Sequence, residues 1–204
     1  MKQISQTEAK IKNAARKIFL EKGFKGATMR EIAAEAGGNL SMVNYYFGSK
    51  EKLFYQINDE TFTTLLHKVA KCLQAEDSIE EKITNMVSEY IDFFILNPQI
   101  PSFIYGEIIR NPQKIASLIK IKISEINIHQ DFEKQIKLHV ETGLFKPEVS
   151  SLHIFINILS LTVFPILSQP IIQETYDLDM EEFNHIMHYR KAHVSDMIIN
   201  SIKT

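Results

Sequence analysis

Between Thr28 and Lys50 the chain reads TMREIAAEAGGNLSMVNYYFGSK, a string that few folds accept. Thr28 and Glu31 have the spacing of a capping box, in which each side chain satisfies a free N–H of a helix start. Ile32, Ala33 and Ala36 follow as one short apolar face. Gly37 stands where a helix ends in the left-handed conformation that other residues resist. Asn39 is placed to cap a second helix from Leu40 to Phe47. Val43 and Phe47, four apart, share the face that packs on the first helix. Two short helices joined by a glycine-containing turn describe a helix-turn-helix.

The second helix carries the chemistry. Leu40, Ser41, Met42, Asn44 and Tyr45 are left pointing outward or sideways. Such a mixture suits a DNA major groove, where Asn pairs with adenine edges, Ser with several groups and apolar atoms with thymine methyls. Tyr45 and Tyr46 can offer hydroxyls to phosphates, whereas Phe47 reads as core. Gly48-Ser49-Lys50 then opens a further helix, whose free N–H groups and Lys50 charge favour an anion. Thr28, Tyr45, Tyr46 and Lys50 are therefore expected at phosphates. Arg30, Leu40, Ser41, Met42 and Asn44 are expected at base edges or the adjoining backbone.

With Thr7 to Leu53 added, the string resembles the DNA-binding domain of the TetR family of transcriptional regulators. The matching pieces are IKNAARKIFLEKGFKGATMREIAAEAG, the YYF triplet and SKEKLF. The resemblance spans roughly the first quarter of the chain; beyond it, only size and helical layout agree. Many members have an apolar residue where Gly38 stands, a Tyr at Asn44 and a His at Tyr46. Glycine fits the turn at 38 but packs nothing, so a looser turn is expected. Asn44 and Tyr46 change groups that face DNA, so the operator sequence does not carry over.

The resemblance implies a dimeric regulator, most often a repressor, that binds duplex DNA through residues 1–47. Residues 48–204 would form a helical body for effector binding and dimerisation, pairing with a second copy through its last two long helices. The family's small-molecule effector lies among the middle helices, where the candidates are Tyr90, Phe93, Phe94, Phe103, Tyr105 and Phe155. Aromatics beside Pro98 and Pro101 suggest an apolar or aromatic ligand. No cofactor is expected.

Charge distribution agrees with this division. The net charge is only −2. Residues 1–50, however, hold nine Lys/Arg against four Asp/Glu, a net of +5, and the remainder carries −7. A basic end on an acidic body is the electrostatic footprint of a DNA-binding head. Cys72 is the sole cysteine, so no intrachain disulfide is possible, which fits a reducing cytoplasm. It reads as a half-buried small apolar residue. MKQISQTEAK lacks the apolar core of a signal peptide. Ile154 to Leu167 is too short and too polar to span a bilayer. His185, His188 and His193 cluster on the last helix, but no carboxylate or cysteine completes an obvious metal set. Motifs for nucleophilic catalysis, nucleotide binding and metal-assisted hydrolysis are absent, and the chain is not expected to be an enzyme.

Periodicity gives an all-α chain of about nine helices. The first runs from about Gln6 to Lys22, with Ser5 and Glu8 at capping-box spacing and Ile11, Ala14, Ala15, Ile18 and Phe19 as one stripe. A continuous helix from Lys50 to about Leu73 joins head to body. Others are expected over Ser78–Leu96, Phe103–Ile109, Gln113–Thr142, Pro147–Leu167 and Met180–Ile202, with an irregular stretch after Pro170. Ile154 to Leu167 is apolar around most of its circumference and must be covered on more than one side. Ligand binding is expected to tilt the helix from Lys50 and spoil the spacing of two reading helices. Successive major-groove faces lie about 34 Å apart, so a modest change suffices. The competing reading is an all-α carrier or enzyme with a vestigial helix-turn-helix end. A third, an architectural DNA protein, fits poorly with an acidic body.

Overall fold

The computed structural model describes residues 6–110, 112–126 and 128–204. These form eleven helices and no strand, with one isolated bridge between Phe145 and Lys203. The chain divides into two compact units, Met1–Thr63 and Thr64–Thr204.

The first unit holds α1 (Gln6–Gly26), α2 (Met29–Glu35), α3 (Leu40–Phe47) and the start of α4 (Lys50–Gln74). The expected cap at Ser5 lies outside the described residues. Ile11, Ala14, Ala15, Ile18 and Phe19 of α1 are buried as one stripe, as their spacing requires. Gly23 takes φ 66° and breaks α1. Phe24, just beyond it, packs its ring 4.8 Å from that of Phe54. The Thr28–Glu31 capping box starts α2, and Gly37 ends its last turn at φ +70°. Asn39 Oδ1 accepts the Met42 N–H at 2.9 Å and starts α3. Leu53 and Ile57 of α4 complete the same core as Val43 and Phe47. The head thus extends past residue 47, because its last two core side chains come from α4.

The second unit is built around α5 (Ile79–Leu96), which packs on α9 (Ser151–Leu167) and α11 (Met180–Ile202). Between them lie α6 (Gln99–Arg110), α7 (Pro112–Ile126), α8 (Ile128–Glu141) and α10 (Gln169–Tyr176). Eleven helices replace the expected nine or so for local reasons. Pro101 and Pro170 start helices rather than interrupting them. Each occupies a first turn, where the N–H that proline lacks has no intrahelical partner anyway. The stretch after Pro170 is therefore helical. The single helix expected over 113–142 is two, with residue 127 between them outside the described set. The helix expected from Pro147 begins at Ser151, capped by Ser150. No single helix among the described residues is long and apolar enough to cross a membrane.

Pro165 lies inside α9 and cannot donate to the carbonyl four residues back, that of Leu161. The partner comes from another helix: Arg190 Nη2 of α11 donates to Leu161 O at 3.1 Å. The proline of one helix is thereby tied to the arginine of its neighbour. Arg190→Ala should lower stability by about 1 kcal/mol, the cost of losing the hydrogen bond to a part-buried acceptor. In a Pro165→Ala background an intrahelical N–H replaces the guanidinium, so the same change should cost clearly less. Urea unfolding of the four proteins of this cycle measures the coupling, and strict additivity would sink the idea.

Candidate nucleic-acid interface

Helix α3 presents Ser41, Asn44 and Tyr45 to solvent, with Leu40 and Met42 half-buried. Tyr45 is 85% exposed and Tyr46 37%. Their rings meet edge to face with centroids 5.3 Å apart, so each tyrosine limits the other's freedom. Arg30 is exposed on α2. The Thr28 hydroxyl is already engaged, donating to Glu31 Oε2 at 2.8 Å and accepting from the Glu31 N–H.

The cations divide sharply. On α1, Lys12 bridges Glu8 and Glu60, Arg16 reaches Glu60, Lys17 pairs with Glu35, and Lys22 with Glu31. Burial alone would lower the pKa of Lys12, but hydrogen bonds to Glu60 and Glu8 outweigh it and hold the value above normal. Lys50 turns inward. Its Nζ donates to Phe24 O and Ala27 O, both at 2.9 Å, and lies 4.6 Å from the Phe24 ring centroid. At the start of α4, Glu51 uses its own backbone N–H and the Ser49 hydroxyl, which lower its pKa. Part of the anion site expected there is filled by an internal carboxylate.

Among the described residues Lys10, Lys25, Arg30 and Lys52 are exposed and enter no ion pair. Lys52 reaches back to the end of α3, where a Cβ on Gly48 would lie 3.9 Å from its Nζ. Sequence reasoning passed over Lys25 and Lys52. The net charge of residues 1–50 includes Lys25 and stops short of Lys52, and which cations are neutralised depends on partners distant in sequence.

In the second unit the effector candidates separate. Tyr90, Phe93 and Phe94 are buried together on α5, with ring centroids 5.7–5.8 Å apart. Burial pushes the Tyr90 hydroxyl well above its ordinary pKa. Phe103 and Phe155 are half-buried, Phe155 beside Phe132 at 5.9 Å, while Tyr105 faces solvent. Cys72 is half-buried, and its thiol pKa is raised mainly by burial. It borders a polar cleft of about 300 Å³ with Lys71, Asn85, Ser88 and Glu89. His188 Nδ1 lies 3.8 Å from Asp92, which Lys191 holds at 2.6 Å. No group of three metal-ligating side chains is assembled among the described residues.

Glu31 joins the head's electrostatics to its stability. The Lys22 ammonium, then the Thr28 hydroxyl and N–H, hold its carboxyl at about 2, below the usual 4.5. A depressed acid contributes stability that is complete above 4.5 and is lost as pH falls through about 2. Glu31→Gln should flatten the acid-side fall of the melting temperature in that window; an unchanged slope would remove Glu31 from the account. Lys50→Ala should weaken hydrogen-exchange protection in the first unit by about 2 kcal/mol, the worth of hydrogen bonds from a charged donor. Unchanged protection with weaker DNA binding would show that Lys50 serves phosphates instead.

A family model described as bacterial regulatory proteins, tetR family, matches residues 11–57. A second, the tetracyclin repressor-like C-terminal domain, matches residues 80–198. The transcriptional repressor NicS of Pseudomonas putida is 26% identical over 165 residues, 79% of this chain and 76% of that protein. The transcriptional regulator UidR of Escherichia coli is 25% identical over 145 residues, covering 71% and 72%. The crystal structure of the regulator PfmR from Thermus thermophilus superposes with a TM-score of 0.62 at 19% identity, over 95% of this chain and 99% of that one. The capped helix pair thus lies within the segment that the tetR-family model matches. The chain belongs to the TetR family and is a DNA-binding transcriptional regulator.

Proposed function

We propose that this regulator is a homodimeric cytoplasmic repressor, released from a two-fold operator by an apolar or aromatic small molecule. One observation carries the dimer. Leu152, Ile156, Leu159 and Val163 recur along α9 at intervals of four, three and four, the spacing of a helix–helix seam. The first three are exposed, although the opposite face, Ile154, Ile158 and Thr162, is buried. On α11, Ile186, Tyr189 and Met197 are likewise exposed. A second copy would cover both stripes. The apolar circumference of α9 has its physical motive here. Two heads on one body read two half-sites, which a single small head would bind weakly.

Repression is supported by the kind of relative this chain is similar to. The ligand is supported by the buried cluster of Tyr90, Phe93 and Phe94, with Phe103 and Phe155 as its half-buried neighbours in the candidate set. Release then follows from unequal affinity for two shapes of the body, transmitted through α4. At the DNA, Arg30, Ser41, Asn44 and Tyr45 are the exposed readers, with Leu40 and Tyr46 beside them. Lys25 and Lys52 join Arg30 as the free cations for phosphates.

The test is fluorescence anisotropy on duplex DNA from upstream of the protein's own gene, with a scrambled duplex at equal salt. Preferential binding at two chains per site is expected. Equal weak binding, followed by a genome-wide fragment selection with no enriched site, would return the carrier reading to favour. Lys25→Ala and Lys52→Ala should each reduce the log–log salt slope by about one and weaken all sequences alike. Ile156→Glu should yield a monomer by light scattering; a persistent dimer would move the interface elsewhere.

A further inference from the structure

The structure assigns Gly38 a role in sequence specificity, exercised through Met42. Side chains on a helix lean toward its N-terminus, so residue 42 covers the turn around residue 38. Here that turn offers no Cβ, and the Met42 thioether occupies the space. A Cβ built on Gly38 would overlap Met42 Cε outright and lie 2.9 Å from Sδ. Met42 is accordingly half-buried and packs against the core of the first unit. Its sulfur and terminal methyl are parked over the turn rather than extended from the reading face.

Gly38 is not glycine for backbone reasons. Positive φ angles among the described residues occur at Gly23, Gly37, Gly48, Gly143 and Asp177, and position 38 is not one of them. Its N–H donates to Ala33 O at 2.9 Å, a bond that an alanine would retain. What glycine supplies is room. A side chain at 38 evicts the thioether, and the way inward is closed, because Ile32 and Ala33 are fully buried. The flexible end of Met42 must swing outward, beside Ser41 and Asn44. There it adds an apolar group able to meet a thymine methyl. With glycine present, the thioether stays off the surface beside Ser41 and Asn44. Position 38 therefore selects between two reading faces without touching DNA. This inference rests on α3 as the base-reading element.

The test compares wild type, Gly38→Ala, Met42→Ala and the double variant, each as the full chain, by selection from a randomised duplex library. Gly38→Ala should melt no lower than wild type and change base preference at one position per half-site by about fivefold, in line with the cost of a single mismatch. In the Met42→Ala background the same substitution should change nothing, since no thioether is left to move. Hydrogen-peroxide oxidation of Met42, followed by peptide mass spectrometry without DNA, should run faster in Gly38→Ala. A preference change that survives Met42→Ala, or an oxidation rate equal to wild type, would overturn the proposal. If Ser41→Ala and Asn44→Ala also leave preference untouched, the failure belongs to α3 as reader. If they alter it and Gly38→Ala does not, it belongs to Gly38.

Discussion

One ammonium holds the reading head together. Lys50 Nζ donates to the carbonyls of Phe24 and Ala27 and sits against the Phe24 ring. Phe24 lies in the last turn of α1, just past Gly23, and Ala27 in the link to α2, where a carbonyl has no further turn of α1 to receive from. The bond joins the exit of α1, the entry to α2 and the start of α4. The orientation of α3 depends on all three, because Val43 and Phe47 rest on the core those segments enclose. A lysine that reads as a phosphate contact in the linear sequence is turned inward as a fastener of the first unit.

The same logic governs the other charges. A basic segment has to bind an anion without flying apart in its absence. The head meets this by neutralising Lys12, Arg16, Lys17 and Lys22 of α1 internally through Glu8, Glu60, Glu35 and Glu31. Lys10, Lys25, Arg30 and Lys52 are left exposed and outside these ion pairs. Exposed pairs of this kind add little stability each, but they decide which side chains are available. In the body, Pro165 and Arg190 show a related economy, since a carbonyl lost to one helix is recovered by its neighbour.

Much of the head was legible in the sequence. Thr28, Glu31, Gly37 and Asn39 act within three or four residues of their partners, and cap chemistry is local. The buried stripes of α1, α5 and α11 follow from helical periodicity. The misreadings also have local causes. Pro101 and Pro170 look like breaks, yet a proline in a first turn starts a helix as readily as it stops one. Gly38 looks like a loose turn, yet its vacancy is filled by Met42 from the next helix. The candidate site was legible as a face and less so as a set of free groups.

The sequence by itself determined the helical class, the caps that bound α2 and α3, and the faces that must be buried. Each of these depends on neighbours within about two turns, whose geometry is the same in any helix. Tertiary structure decided which polar groups were spent inside the protein. Lys50 finds carbonyls 23 and 26 residues away, Lys12 finds Glu60 48 residues away, and Arg190 finds Leu161 29 residues away. It also decided that the apolar seam of α9 is left uncovered within one chain. No spacing rule reaches those distances, because they are set by the packing of whole helices rather than by the repeat of one.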